Sequence, residues 1–219
     1  MSPLSPYAAK ARIALYEKGL EFEKINVLWD PVRGFAEKPV EMLAINPKGQ
    51  VPTLVDGEIA FYDSTVIFEY LEEKYPTPPL YPKNIAARVR CRLLGDFADT
   101  VLGEAVRTLR VEVFVKPDPA TRDQAAIGKT NAILRSAWSM LDQQLDDNEY
   151  LCDSFTVADV GCYALIRLLR FIGTVPDASW QRLHNWIGRM ENRPSVQIDL
   201  REVNESFSAL FAPRPRSED

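Results

Sequence analysis

Four prolines fall within the ten residues Tyr75–Asn84 (Y-P-T-P-P-L-Y-P-K-N), and no other feature constrains this chain as much. Pro76, Pro78, Pro79 and Pro82 each remove a backbone donor and fix φ, so neither a helix nor a central strand can cross the run. The chain of 219 residues therefore divides into residues 1–75, a linker at 76–84 and residues 85–219. Before the linker, elements are short and mixed. After it, the apolar spacing is helical almost throughout.

In the first part, Pro6–Lys18 contains no breaker after its proline start and ends at Gly19, a helix stop. Glu21–Val27 alternates charged and apolar residues, with Phe22, Ile25 and Val27 on the apolar side, and predicts a half-buried strand. Pro39–Ile45 predicts a short helix, followed by the loop Asn46-Pro47-Lys48-Gly49. Thr53–Val55 and Ile59–Tyr62 flank Asp56-Gly57, a hairpin signal. Ser64–Lys74 then predicts a helix with Val66, Ile67, Tyr70 and Leu71 facing inward. This order is that of a thioredoxin-like domain without its first strand.

The second part predicts helices over Ala86–Val115, Arg122–Leu145, Val157–Phe171 and Ser179–Glu191, with Pro117 and Pro119 separating the first two. Phe155-Thr156-Val157-Ala158-Asp159-Val160 reads as a capping box between Thr156 and Asp159, with Phe155 and Val160 as its apolar staple. Residues 212–219, proline-rich and charged, are expected to fray.

Composition narrows the function. A formal net charge of −5 argues against a nucleic-acid partner. Arg88, Arg90 and Arg92 read as a solvated or subunit-facing helix edge rather than a phosphate site. Cys91, Cys152 and Cys162 have neither disulfide nor metal-ligand spacing, and a single His184 weakens any zinc or histidine-triad reading. No apolar run is long enough for a bilayer, and the first residues lack a secretory pattern. The expectation is a reduced cytoplasmic protein without a metal or a membrane.

Five blocks then carry a resemblance: S-P-Y-A-A-K-A-R-I-A-L (Ser5–Leu15), N-P-K-G-Q-V-P-T-L (Asn46–Leu54), D-S-T-V-I-F-E-Y-L (Asp63–Leu71), F-T-V-A-D-V (Phe155–Val160) and R-P-S-V (Arg193–Val196). In this order and spacing the chain resembles the glutathione transferase superfamily along essentially its whole length. Its Ser-Pro-aromatic start is similar to the serine-type classes, the plant tau class and many bacterial members among them. The resemblance implies a thioredoxin-like domain that binds glutathione and an all-helical domain that supplies most of the pocket for an apolar electrophile. It also implies a homodimer.

The residues suit that chemistry. Conjugation needs a thiolate, and a free thiol with a pKa near 8.5 is mostly protonated at neutral pH. Lowering it by about two units takes about 2.7 kcal/mol of selective stabilisation of the anion. Ser5-Pro6 places a cap residue before the favoured first helical position, where a hydroxyl and a helix N-terminus both favour an anion. Ser5 is the expected holder of the sulfur; serine, unlike cysteine, cannot form a mixed disulfide, which favours transfer over thiol–disulfide exchange. Ser2 is a weaker rival, and Tyr7 reads as packing. The resemblance implies a cis step at Val51-Pro52, with the Val51 backbone pairing to the cysteinyl residue of glutathione. Ser64 with its N–H would take the γ-glutamyl carboxylate, and Asp63 the ammonium group. Gln50 would contact the ligand backbone and Lys38 the glycyl carboxylate. For the second substrate, Phe97, Val101 and Ala105 or Phe207, Leu210 and Phe211 are candidate lining, or simply core. Only four residues precede Ser5, and Pro3 is among them, so Met1–Leu4 is not expected to form the family's first strand. The alternative functions are a non-catalytic ligand-binding or partner-docking protein and a specialised glutathione-dependent dehalogenase, etherase or isomerase.

Overall fold

A computed structural model describes residues 1–27, 29–30, 34–35, 38–116 and 118–211. Helix α1 (Pro6–Glu17) begins at Ser5, whose extended backbone (φ −79°, ψ 123°) and side-chain oxygen cap the first turn, and Pro6 sits where no N–H is needed. It ends before Gly19, which takes the left-handed φ of +66° that glycine tolerates. Small residues let it pack on both sides: Ala8, Ala9, Ala11 and Ala14 are fully buried between α3, α7 and α9.

Glu21–Val27 is not a strand, contrary to the alternation of its side chains. Among the described residues it finds one rung of pairing: the Met1 amine donates to Ile25 O, and Val27 N–H donates to Met1 O at 2.6 Å. A ladder needs a second segment of backbone, and Ile25, expected inside, is 65% exposed. Among the described residues strands occur instead as two antiparallel pairs, β1 (Trp29–Asp30) with β2 (Gly34–Phe35) and β3 (Thr53–Asp56) with β4 (Ile59–Tyr62). The second is the expected hairpin, registered Thr53 to Tyr62 and turned at Gly57. Helix α2 (Val40–Ile45) follows Pro39, and α3 (Ser64–Lys74) follows Asp63. Ile67, Phe68 and Leu71 form the inner face of α3, whereas Val66 is half exposed, because the helix is rotated one position from the expected phase. This is a thioredoxin-like domain with a much reduced sheet.

Beyond the prolines the chain is helical. One long rod contains α4 (Ile85–Phe97), a π-helical turn (Ala98–Leu102), α5 (Gly103–Leu109) and a second π-helical turn (Arg110–Val115). Apolar spacing predicts a helix here but not the extra residue per turn, which frequently marks functional positions. Helices α6 (Gln124–Leu145), α7 (Val157–Phe171), α8 (Gln181–Glu191) and α9 (Pro194–Phe211) complete the domain. The last was not anticipated as a separate helix; Pro194 occupies its permissive first position.

Core packing centres on α7. Its capping box closes as expected: Thr156 N–H donates to Asp159 Oδ2 at 2.9 Å and Ala158 N–H to Thr156 Oγ1 at 3.3 Å. Asp159, fully buried, also accepts from Leu151 N–H at 2.9 Å and from Trp186 Nε1–H at 2.8 Å. One carboxylate thus satisfies donors from the preceding loop and from α8 as well as its own cap. Arg88 and Arg92 stack on the Tyr81 ring, with Arg92 paired to Glu69 at 3.0 Å and Arg88 to Glu72 at 3.8 Å. No helix among the described residues is long and apolar enough to cross a membrane.

Candidate functional site

The start of α1, the loop 46–52, the start of α3 and the long rod enclose a cavity of about 880 Å³. All of the expected glutathione-binding positions lie on its wall: Ser5, Lys38, Gln50, Val51, Pro52, Asp63 and Ser64. Ser2 and Tyr7 line it too. A cleft of this size lies within the usual range for small-molecule sites and is ample for a tripeptide.

At Ser5, Oγ accepts from Ala8 N–H at 3.3 Å, which leaves the hydroxyl proton available for an acceptor in the cleft. The turn before it is clamped. Ser5 N–H donates to Ser2 O at 3.2 Å, and the buried Arg12 guanidinium donates to Ser2 O at 2.9 Å and Pro3 O at 3.1 Å. Arg12 is held in turn by Asp199 of α9 at 2.5 Å, a carboxylate that also meets Arg167 of α7. Ser2 is buried, and among the described residues its hydroxyl has no hydrogen-bond partner.

The loop 46–52 is shaped by Asn46. Its side-chain amide donates to Gln50 O at 2.6 Å, its Oδ1 accepts from Lys48 N–H at 3.0 Å, and its carbonyl accepts from Gly49 N–H at 2.8 Å. Gly49 needs its left-handed φ of +59° and sits against Lys38, whose Nζ would be 3.0 Å from an added β-carbon. The Val51–Pro52 bond is cis.

Asp63 caps α3 from an unusual backbone, φ +85° and ψ 126°, a region that costs a non-glycine residue about 1–3 kcal/mol. Its Oδ1 accepts from Thr65 N–H at 2.8 Å and Val66 N–H at 3.4 Å. The buried Ser64 begins the helix beside it, so an acid, a hydroxyl and a helix N-terminus converge on one end of the cleft.

The opposite wall comes from the helical domain. Gly103, Val106, Arg107, Arg110 and Phe114 project from one face of the rod, and Leu168, Phe171 and Ile172 from the end of α7. Phe114 and Phe171 meet edge to face, 5.9 Å between centroids. Of the candidates for this wall, Phe97, Val101 and Ala105 are not on it: they lie on other faces of the rod, and Ala105 is core. Phe207, Leu210 and Phe211 fall outside the described side chains. Sequence reasoning missed Val106, Phe114 and Phe171, although Gly103, Val106, Arg110 and Phe114 keep a helical spacing that marks one stripe. Burial, then the neighbouring Asp99, push the Tyr7 phenol above its ordinary range, so it stays a neutral donor. Among the described residues no group of three or more histidine, cysteine or acidic side chains is placed to hold a metal.

A reduced thioredoxin-like domain and an all-helical domain sharing such a cleft constitute the glutathione transferase fold. Residues 1–79 match the family model of the glutathione S-transferase N-terminal domain, and residues 105–194 that of the C-terminal domain. A glutathione S-transferase of Arabidopsis thaliana is 33% identical over 213 residues, 94% of this chain and 96% of that protein. The crystal structure of a glutathione S-transferase from Rhodospirillum rubrum aligns with a TM-score of 0.78 at 29% identity, covering 91% of this chain and 90% of its own. FtsZ-localized protein A of Caulobacter vibrioides is 25% identical over 200 residues, 88% of this chain and 85% of that protein. The chain belongs to the glutathione S-transferase family.

Proposed function

We propose that this chain conjugates glutathione to electrophilic small molecules, with Ser5 holding the sulfur as thiolate. The observation that carries the reading is that Ser5, the Gln50–Pro52 backbone, the Asp63–Ser64 cap and Lys38 all face one cavity. Ser5 Oγ–H donates to the sulfur at the N-terminus of α1, which favours the anion. Val51 pairs with the cysteinyl backbone as an added strand does, Gln50 contacts the same backbone, and Ser64 and Asp63 take the two charges of the γ-glutamyl end. Lys38 meets the glycyl carboxylate. The thiolate forms the new C–S bond as the leaving group departs with its electron pair, and the wall of Val106, Phe114 and Phe171 holds the apolar body of the electrophile. The same reading makes the protein cytoplasmic and a homodimer; the exposed Ile85, Val89 and Leu93, one ridge along α4, suit a twofold contact. Steady-state turnover of a chlorodinitrobenzene by wild type and Ser5→Ala, beside calorimetric binding of glutathione, tests it. Turnover should collapse with affinity largely kept, and equal turnover removes Ser5 from the mechanism.

A second reading is favoured by the reduced sheet, in which the hairpin β3–β4 pairs with no further strand among the described residues. A non-catalytic binding protein would then fail to bind glutathione while still taking up a hydrophobic dye.

A further inference from the structure

The charge inside the cleft is opposite to that of the whole chain. The protein carries a formal net charge of −5, yet among the described residues the cavity wall presents Lys38, Lys48, Arg107 and Arg110 against the one acid Asp63. Concave, low-dielectric walls of one sign concentrate ligands of the other. Glutathione accounts for one end of this field: Lys38 and Lys48 lie at the loop 46–52, and Asp63 faces the ammonium group. Arg107 and Arg110 lie on the other wall, among the groups that meet the second substrate.

These two arginines differ. Arg107 is paired to Glu104 at 2.7 Å on an exposed helix turn. Arg110 is half-buried, and among the described residues its side chain has no acidic partner and no hydrogen bond. It opens the second π-helical turn, seven positions beyond Gly103, which abuts the Tyr7 hydroxyl. At 1.5 Å per residue, that places it about 10 Å along the rod from the point where the rod meets α1. Phe114 and the α7 residues Leu168 and Phe171 supply apolar surface on the same wall. A guanidinium there matches a carboxylate in a fork geometry that a bare apolar pocket lacks.

Resting on the transferase reading above, we infer that the second substrate is an anionic electrophile: an apolar or aromatic body bearing a carboxylate, which Arg110 anchors away from the reacting carbon. In the step itself, the glutathione thiolate forms a C–S bond at the activated carbon and the leaving group, a halide in the probes below, departs with the bonding pair. The carboxylate takes no part in the electron flow and remains on the product.

The test compares a chlorodinitrobenzoate with the neutral chlorodinitrobenzene as electrophiles, in wild type, Arg110→Gln and Arg110→Lys. Wild type should prefer the carboxylate probe in kcat/KM, and the preference should shrink as salt rises. Arg110→Gln should lower that preference about tenfold or more, through KM, and Arg110→Lys should restore part of it. Equal losses on both probes, or none, overturn the assignment. Calorimetric binding of the carboxylate probe without glutathione reads the same anchor independently of chemistry: Arg110→Gln should weaken it, and unchanged binding again overturns the assignment. Absent glutathione binding and absent turnover of both probes would instead sink the transferase reading, and the calorimetric comparison would still decide Arg110.

Discussion

The hydroxyl of Tyr7 occupies the space that a β-carbon on Gly103 would need: the two would lie 2.5 Å apart. This contact locks the first turn of α1 to the rod at the base of the cleft. It explains a glycine inside a helix, where glycine is otherwise unfavourable by about 1 kcal/mol relative to alanine.

Gly103→Ala should therefore destabilise the protein by about 1–3 kcal/mol, as an overpacked core position does. Tyr7→Phe should reverse the sign. The ring carbon Cζ is 3.8 Å from the added atom, an ordinary contact, so in that background the alanine should gain up to about 1 kcal/mol of helix propensity. Urea denaturation of the two single variants and the double variant measures this; equal costs of the alanine in both backgrounds would refute the contact.

Tyr7 also sets an alkaline dependence. Its phenol is raised in the folded protein, chiefly by burial, so the folded state holds the proton more tightly than the unfolded chain. That contribution is fully present below the unfolded value near 10 and is lost as pH rises above it. Thermal melts between neutral pH and strong alkali should show a shallower decline for Tyr7→Phe than for wild type.

Ser5→Ala should raise the thiol pKa of bound glutathione by about two units, so kcat/KM near neutral pH should fall about 25-fold and recover as pH rises. The lost cap should cost about 0.5–2 kcal/mol of stability. Ser2→Ala is the comparison: that residue also borders the cavity, and the variant should lose far less turnover. The reverse ordering would hand the sulfur to Ser2. Spectrophotometric titration of the bound thiolate separates the two.

Removing the acid that Arg12 and Arg167 share should be severe, because the buried Arg12 guanidinium then loses its strongest counter-ion. Asp199→Asn should cost about 3–5 kcal/mol, and Arg12→Met less, because Asp199 keeps Arg167. Beyond stability, Arg12→Met should shift the pH dependence of turnover, since the guanidinium positions the two carbonyls ahead of Ser5. A stability loss with an unchanged pH profile would make Arg12 structural only.

Asp159→Ala should strand the N–H groups of Leu151, Thr156 and Trp186 in the core. At about 1–3 kcal/mol for each unsatisfied buried donor, the variant should fold poorly. Asp159→Asn keeps an acceptor and should be the milder change, as chemical denaturation can measure.

Features set by neighbours in the chain were legible before the structure. Ser5-Pro6 with Gly19 bounds α1, Asp56-Gly57 turns the hairpin, and Thr156 with Asp159 opens α7, each by local chemistry. What was not legible depends on distant partners. Glu21–Val27 has a strand's alternation, but a strand exists only when another backbone lies alongside, and among the described residues it pairs with Met1 alone. Arg12 reads as one more helical arginine until Asp199 is brought to it. Likewise, which stripe of the long rod faces the cleft is set by where Gly103 meets Tyr7, so Val106 and Phe114 line the wall where Phe97 and Val101 were expected. Residues Met1–Leu4 form no strand, and Pro3 among them lacks a ladder donor.

The clamp around Ser5 also fixes an order of assembly. Arg12 takes its counter-ion from Asp199, 187 residues further along the chain. Contacts so distant in sequence close late, after the local helices have formed. A chain truncated before α9 would thus carry every expected glutathione contact without the geometry to use it.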